Sequence, residues 1–283
     1  MIQNKDNEYK IDVDTAWDNL YAKLENERLL TGEPGSPPKI PLRWMAVAAV
    51  VCAAVISSIF YFPHKKENSL VFMQNKDSSG ALVVTLEDSS VVYLASNASI
   101  AYPAVFANNQ RKVKLNGNAL FSVTKNKKRP FIIETSKEVT IEVVGTIFAV
   151  QSSPENPFEL SVKEGKVNVH SKDGKNVVPL VAGETVQKST SGLNKFKIVN
   201  SEVFSRFTNR MCFKDEKLSN IVHAINTGYG NPIVIADQSL NNRTLTVTFE
   251  NDSVETMTQL ICMALHLKQT NKQDTIFIRE SLK

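Results

Sequence analysis

The chain has 283 residues, 42% hydrophobic and 22% charged, with a net charge of +4 at pH 7, which is enough material for one or two ordinary domains. The positive excess is spread along the chain instead of gathered in a patch, so composition gives no basis for direct nucleic-acid binding. Three cysteines exclude a disulfide scaffold: Cys52 lies in an apolar run, and Cys212 and Cys262 read as two buried free thiols unless an oxidising compartment and suitable geometry let them pair.

In chain order, residues 11–30 (IDVDTAWDNLYAKLENERLL) place Val13, Trp17, Leu20 and Leu24 at spacings of four, three and four, with Tyr21 alongside. That is one apolar stripe on a helix, with Asp12 or Asp14 positioned to cap its start. So short a helix needs a partner on its stripe to be stable. Acidic residues on the other faces (Asp14, Asp18, Glu25, Glu27) suit anionic lipid poorly, so the expected partner is a protein groove. Residues 31–41 (TGEPGSPPKIP) are rich in proline and glycine and predict an extended tether, with residues 1–43 forming one tail.

Residues 44–62 (WMAVAAVVCAAVISSIFYF) carry no charged residue. At about 1.5 Å per residue the run reaches roughly 28 Å, close to the hydrocarbon thickness of a bilayer. Trp44 marks one end and Phe62 the other, with Ala49 and Ala53 between them, and lysines or arginines stand just outside at Arg43, Lys65 and Lys66. The expectation is one transmembrane helix. A secretory signal peptide would place its apolar core nearer the start and follow it with a small-residue cleavage site.

From residue 70 to about 197 short strands alternate with turns. Val113 and Leu115, then Val139, Ile141 and Val143, then Val167 and Val169 alternate with polar residues, and Asn116-Gly117, Glu164-Gly165, Asp173-Gly174 and Ala182-Gly183 mark turns. Glycines 117, 145, 165 and 183 are expected where a tight turn or bulge wants positive φ, and Pro103 and Pro130 at strand starts. Lys125, Lys127, Lys128 and Arg129 read as a solvated turn. The pattern predicts an all-β sandwich or roll over residues 64–197.

The stretches LEDSSVVYLASNASIAYPAVF (86–106), RKVKLNGNALFSV (111–123), KRPFIIET (128–135), VTIEVVGTIFAV (139–150), ELSVKEGKVNV (159–169) and LVAGETV (180–186) resemble, in order, the periplasmic domain of FecR-type anti-sigma factors.

Beyond residue 200 the pattern changes. FSRFTNRMCF (204–213) reads as a strand, and Leu218, Ile221, Val222, Ile225 and Tyr229 as a helix ended between Gly228 and Pro232. PIVIAD (232–237) and RTLTVTFE (243–250) read as strands. A second helix capped by Asp252 or Ser253 turns Val254, Met257, Ile261, Ala264 and Leu265 inward, and TIFIRE (275–280) is the last strand. This predicts a βαββαβ domain over residues 200–283, with two helices on one sheet. It is similar to the C-terminal domain of FecR-like proteins and to the short N-terminal domain of secretins and TonB-dependent receptors.

Residues that carry chemistry are sparse. His64, His170, His223 and His266 show no metal-ligand spacing, and Ser122 and Lys125 fit a Ser-x-x-Lys string only within an alternating strand. No phosphate loop or nucleophile elbow occurs. The expectation is a protein without catalytic, metal or cofactor sites.

The resemblance implies an inner-membrane, single-pass regulator with its tail in the cytoplasm and the rest in the periplasm. In that family the tail holds an extracytoplasmic-function (ECF) sigma factor, which here implies contacts through Val13, Trp17, Leu20, Tyr21 and Leu24. The periplasmic part takes a signal from the N-terminal domain of a TonB-dependent outer-membrane transducer, and an intramembrane protease releases the sigma factor. Strand addition to the C-terminal sheet is the expected transducer contact. A membrane-anchored periplasmic glycan or cell-wall scaffold is the alternative, and a groove lined by exposed aromatics would favour it.

Overall fold

The structure is a computed structural model that describes residues 13–27, 69–77, 80–171, 176–190, 192–197, 202–230 and 232–281. The expected span with Trp44, Ala49, Ala53 and Phe62, the tether, Asp12 and the Asp173-Gly174 turn lie outside these residues. No helix among the described residues is long and apolar enough to cross a membrane. The chain divides into two compact units, residues 1–66 and 67–283.

In the first unit, helix α1 spans Val13–Asn26, with Asp14 in its first turn and Lys23 in its last, each placed to complement the helix dipole. None of its residues is buried.

The second unit is built on two sheets that face each other. One has seven strands in the order β1 (Leu70–Gln74), β4 (Ser99–Pro103), β5 (Arg111–Asn116), β7 (Phe131–Thr135), β8 (Val139–Val143), β11 (Lys166–Ser171) and β12 (Val177–Val181). The other has nine: β14 (Gly192–Lys197), β13 (Glu184–Ser189), β10 (Glu159–Glu164), β9 (Thr146–Gln151), β6 (Ala119–Val123), β3 (Val91–Leu94), β2 (Ala81–Thr85), β15 (Arg210–Lys217) and β17 (Thr244–Glu250). Alternation decides which side chains meet between the sheets: Val113 and Leu115, Ile133, Ile141 and Val143, and Val167 and Val169 from one, Leu82, Val92, Phe121, Phe148 and Leu160 from the other. Phe121 and Phe148 stack at 5.4 Å between centroids. Most neighbours are antiparallel. β5 and β7 are parallel because β6 crosses to the opposite sheet between them, which supplies the connection that parallel strands need.

A buried ion pair fastens one end of the sandwich. Arg111, 1% exposed, holds Asp88 at 2.5 Å through Nη1 and also donates to the carbonyls of Thr124 (2.8 Å) and Arg129 (2.9 Å). Its guanidinium lies 5.4 Å from the Phe131 ring centroid. Asp88 in turn accepts from the amide and hydroxyl of Ser90, whose Oγ accepts from the Thr124 amide. The basic run at 125–129 is therefore a turn pinned from beneath, with Asn126 Oδ1 accepting the amides of Lys128 and Arg129.

The C-terminal part follows the expected order with one strand added. Helix α2 (Glu202–Thr208), β15, α3 (Leu218–Tyr229), β16 (Ile233–Ile235), β17, α4 (Val254–Leu265), β18 (Leu267–Lys272) and β19 (Thr275–Glu280) succeed one another. Four expectations on this part are corrected. Residues 204–208 are helical, because Val203, Phe204 and Phe207 pack at helical spacing and strand alternation resumes only at Met211 and Phe213. Residues 267–272 form β18, an antiparallel hairpin partner of β19 turned at Gln273 with φ 50°. Two sheets take the place of one, since β15 and β17 extend the nine-stranded sheet while β16, β19 and β18 form a separate sheet of three. Ala264 is exposed, because the buried face of α4 centres on Thr258 and Ile261 and leaves Ala264 at its margin.

In the sandwich, Gly117, Gly165 and Gly183 have the expected positive φ (94°, 87° and 86°). Gly145 does not, and serves close approach instead: a Cβ there would lie 2.6 Å from Lys125 Cα. Pro130 precedes β7 as expected, whereas Pro103 ends β4 opposite Leu70. Arg111→Ala would leave the Asp88 carboxylate buried without its partner, and about 3–5 kcal/mol of stability is the expected loss in urea denaturation.

Candidate interaction surfaces

The second core lies on the outer face of the nine-stranded sheet. Strands β2 and β3 are apolar on both faces: Leu82, Val84, Val92 and Leu94 point between the sheets, while Ala81, Val83, Val91 and Tyr93 point outward. With Leu120 of β6 and Ala149 of β9 they make a platform that cannot face water. Phe207 of α2, Met211 and Phe213 of β15, Leu218, Ile221 and Ile225 of α3, Phe249 of β17 and Ile261 of α4 join the same cluster. Phe213 and Phe249 pack edge to face at 5.9 Å.

Main-chain bonds close the seam. β15 runs parallel to β2 with Met211 opposite Ala81 and Cys212 opposite Leu82. On α3, the Tyr93 hydroxyl donates to the Ala224 carbonyl at 3.4 Å, and His223 Nε2 lies 2.9 Å from the Ser89 carbonyl. Burial pushes the Tyr93 hydroxyl well above its ordinary value of 10. Beside α2, Gly80, Ser96, Asn118, Arg206 and Phe207 line a cleft of about 240 Å³, where burial lowers the Arg206 guanidinium.

The side chains singled out in the sequence fall on several surfaces. Val13, Trp17, Leu20 and Tyr21 are exposed on α1 (58%, 56%, 46% and 61%), Leu24 is half-buried, and the Trp17 and Tyr21 rings lie 6.5 Å apart. His170 stands 3.5 Å from Glu142, His223 is at the seam and His266 ends α4 in a left-handed conformation. Cys212 and Cys262 are both free thiols, Cys262 buried and its pKa raised by that burial. No group of three or more His, Cys, Asp or Glu side chains is gathered as metal ligands among the described residues. The seam itself was missed in the sequence, although a signal for it was present: ALVVTL (81–86) and VVYL (91–94) are apolar without alternation, the mark of a strand covered on both faces.

A sandwich whose outer face is capped by an α+β module defines a two-module architecture. Family comparison gives the rest. The model described as FecR protein matches residues 76–168, and that described as FecR, C-terminal, matches residues 210–278, together more than half of the chain. The chain belongs to the FecR family. No curated protein matches it. Among solved structures it is similar to two crystal structures, at 2.50 and 1.65 Å, of a candidate anti-sigma factor from Parabacteroides distasonis. Both are 23% identical to it; the matches cover 76% and 75% of this chain and 100% of theirs, with TM-scores of 0.47 and 0.46.

Two measurements test the seam. Ile221→Ala is expected to cost about 2–5 kcal/mol and to lower one calorimetric transition shared by both modules; two separated transitions would show that they melt independently. Because the folded-state pKa of Tyr93 is raised, its contribution is complete below pH 10 and is lost as pH rises through the interval above 10 where only the unfolded chain ionises. Tyr93→Phe should therefore flatten the fall in stability above pH 10, measured as urea midpoints against pH.

Proposed function

We propose that the chain is a single-pass inner-membrane anti-sigma factor that holds an ECF sigma factor through α1 and receives a signal through its C-terminal module. The observation that carries this reading is the pairing of the FecR domain with the FecR C-terminal module behind a helix whose apolar residues are not buried. Residues 44–62 are long and apolar enough to cross a bilayer once. In this reading the orientation comes from the family resemblance, with the tail in the cytoplasm and residues 64–283 in the periplasm. Trp17 and Tyr21, with Val13, Leu20 and Leu24, form the anchor for the sigma factor, since buried aromatics dominate interface energies.

On the periplasmic side the partner is the N-terminal signalling domain of a TonB-dependent outer-membrane transducer. β17 ends the nine-stranded sheet with Thr244, Thr246 and Thr248 facing solvent, and its open edge is the place for an added strand. β18, the edge of the small sheet, carries Lys268 and Lys272, residues that blunt edge pairing. Cleavage by an intramembrane protease then frees the tail with its sigma factor. The glycan-scaffold alternative finds less support: Phe72 is exposed beside a shallow groove, but Phe106, Phe121, Phe131, Phe148 and Phe158 of the sandwich are buried in its core.

The test is capture of candidate sigma factors by residues 1–43, wild type against Trp17→Ala. Loss of about tenfold or more in affinity is the expected outcome, equivalent to ~1.4 kcal/mol or more for an aromatic anchor. No binding by the wild-type tail to any sigma factor would overturn the assignment.

A further inference from the structure

The outer face of the seven-stranded sheet carries an apolar corner that the sandwich does not use. Leu70 and Phe72 of β1 are 73% and 63% exposed, although their neighbours Val71 and Met73 turn toward the core. Leu70 pairs with Pro103 and Phe72 with Ala101, and the Ala104 amide donates to the Ser69 carbonyl, which brings the exposed Val105 to the same end of the sheet. The next strand presents Lys112 and Lys114 on this face against Glu134, to which Lys112 is paired at 2.6 Å. Phe72, Ala101, Lys114 and Glu134 border a shallow groove of about 390 Å³. Large apolar side chains at an edge strand, rimmed by lysines, are a surface built to be covered.

Covalent connection says by what. Only residues 63–69 separate Phe62 from Leu70, so at no more than about 3.6 Å per residue Leu70 stays within roughly 29 Å of the end of the proposed span. Lys65 and Lys66 stand in the sequence of that short link. We propose that the corner formed by Leu70, Phe72 and Val105, with Lys112 and Lys114, rests on the anionic lipid surface from which the chain emerges. This rests on the single-pass reading of residues 44–62. Aliphatic and aromatic groups enter the headgroup boundary while the lysines meet lipid phosphates. The C-terminal module covers the outer face of the opposite sheet, so the docked sandwich presents β17 away from the bilayer.

The experiment uses the full chain in nanodiscs containing phosphatidylglycerol, with its three cysteines replaced by alanine and an environment-sensitive dye on a single cysteine introduced by Leu70→Cys, Phe72→Cys, Val105→Cys, Val181→Cys or Ala53→Cys. Nitroxide lipid labelled at headgroup level should quench the dye at 70, 72 and 105 but not at 181, at the far edge of the same sheet. Iodide in solution should show the reverse order. Lys112→Gln with Lys114→Gln should weaken the contact about tenfold and abolish most of the quenching at 72. A dye at 72 that iodide reaches freely, while acyl-chain nitroxide quenches the dye at 53, would overturn the proposal and leave the span intact. A dye at 72 shielded from both quenchers would mean that protein covers the corner, which also overturns it. Absence of quenching at 53 would remove the span itself and the docking with it.

Discussion

A sheet that is apolar on both faces has to be covered on both faces, and the rest of the region from residue 69 onward follows from that requirement. Residues 81–84 and 91–94 alternate between two cores instead of between core and water: Leu82 and Val92 enter one, Val83 and Tyr93 the other. At about 25 cal/mol per Å² of apolar surface, leaving the outer row in water would forfeit a large part of what stabilises these strands. The α+β module is therefore a second wall of the sandwich as well as a domain in its own right. The parallel β2–β15 pair and the Tyr93 and His223 contacts set its register on that wall.

The Arg111–Asp88 pair plays a different part. A buried ion pair adds little net stability compared with an apolar substitute, because both charges must leave water. Its value here lies in what it orders: the Asp88–Ser90 turn, the Thr124 and Arg129 carbonyls and the basic loop between β6 and β7 all converge on one guanidinium. Loops of four separate strands are thus given one conformation at the end of the sandwich, and the lysines above it are left to solvent.

Much of the fold was legible wherever one face of an element meets water. Val113 and Leu115, Val139 through Val143, and Ile221 through Ile225 announced their elements because polar residues filled the opposite faces. Legibility failed where that contrast vanished. Residues 81–94 lacked alternation because both faces are buried, so the seam was not anticipated, and the break between the two modules looked cleaner than a shared sheet allows. Phe204 and Phe207 look continuous with Met211 and Phe213 in sequence because aromatics suit both states, and only the change of spacing at Asn209 separates helix from strand. The hairpin strand 267–272 is mostly polar, an edge strand with little to bury. The apolar stripe of α1 was fully legible, since a stripe is a local property, whereas Leu70 and Phe72 gained meaning only from the neighbours that the sheet brings beside them.

The shared platform also limits how such proteins can diversify. A different C-terminal module cannot simply be exchanged at the connection near residue 200, because its underside must match Ala81, Val83, Val91, Tyr93, Leu120 and Ala149 in size and shape. Substitutions are best tolerated on the far side of the module, at Thr244, Thr246 and Thr248 of β17 and the solvent faces of α3 and α4, where they do not reach the seam. Recombination between proteins of this architecture should thus favour breakpoints that move β2, β3 and the C-terminal module together.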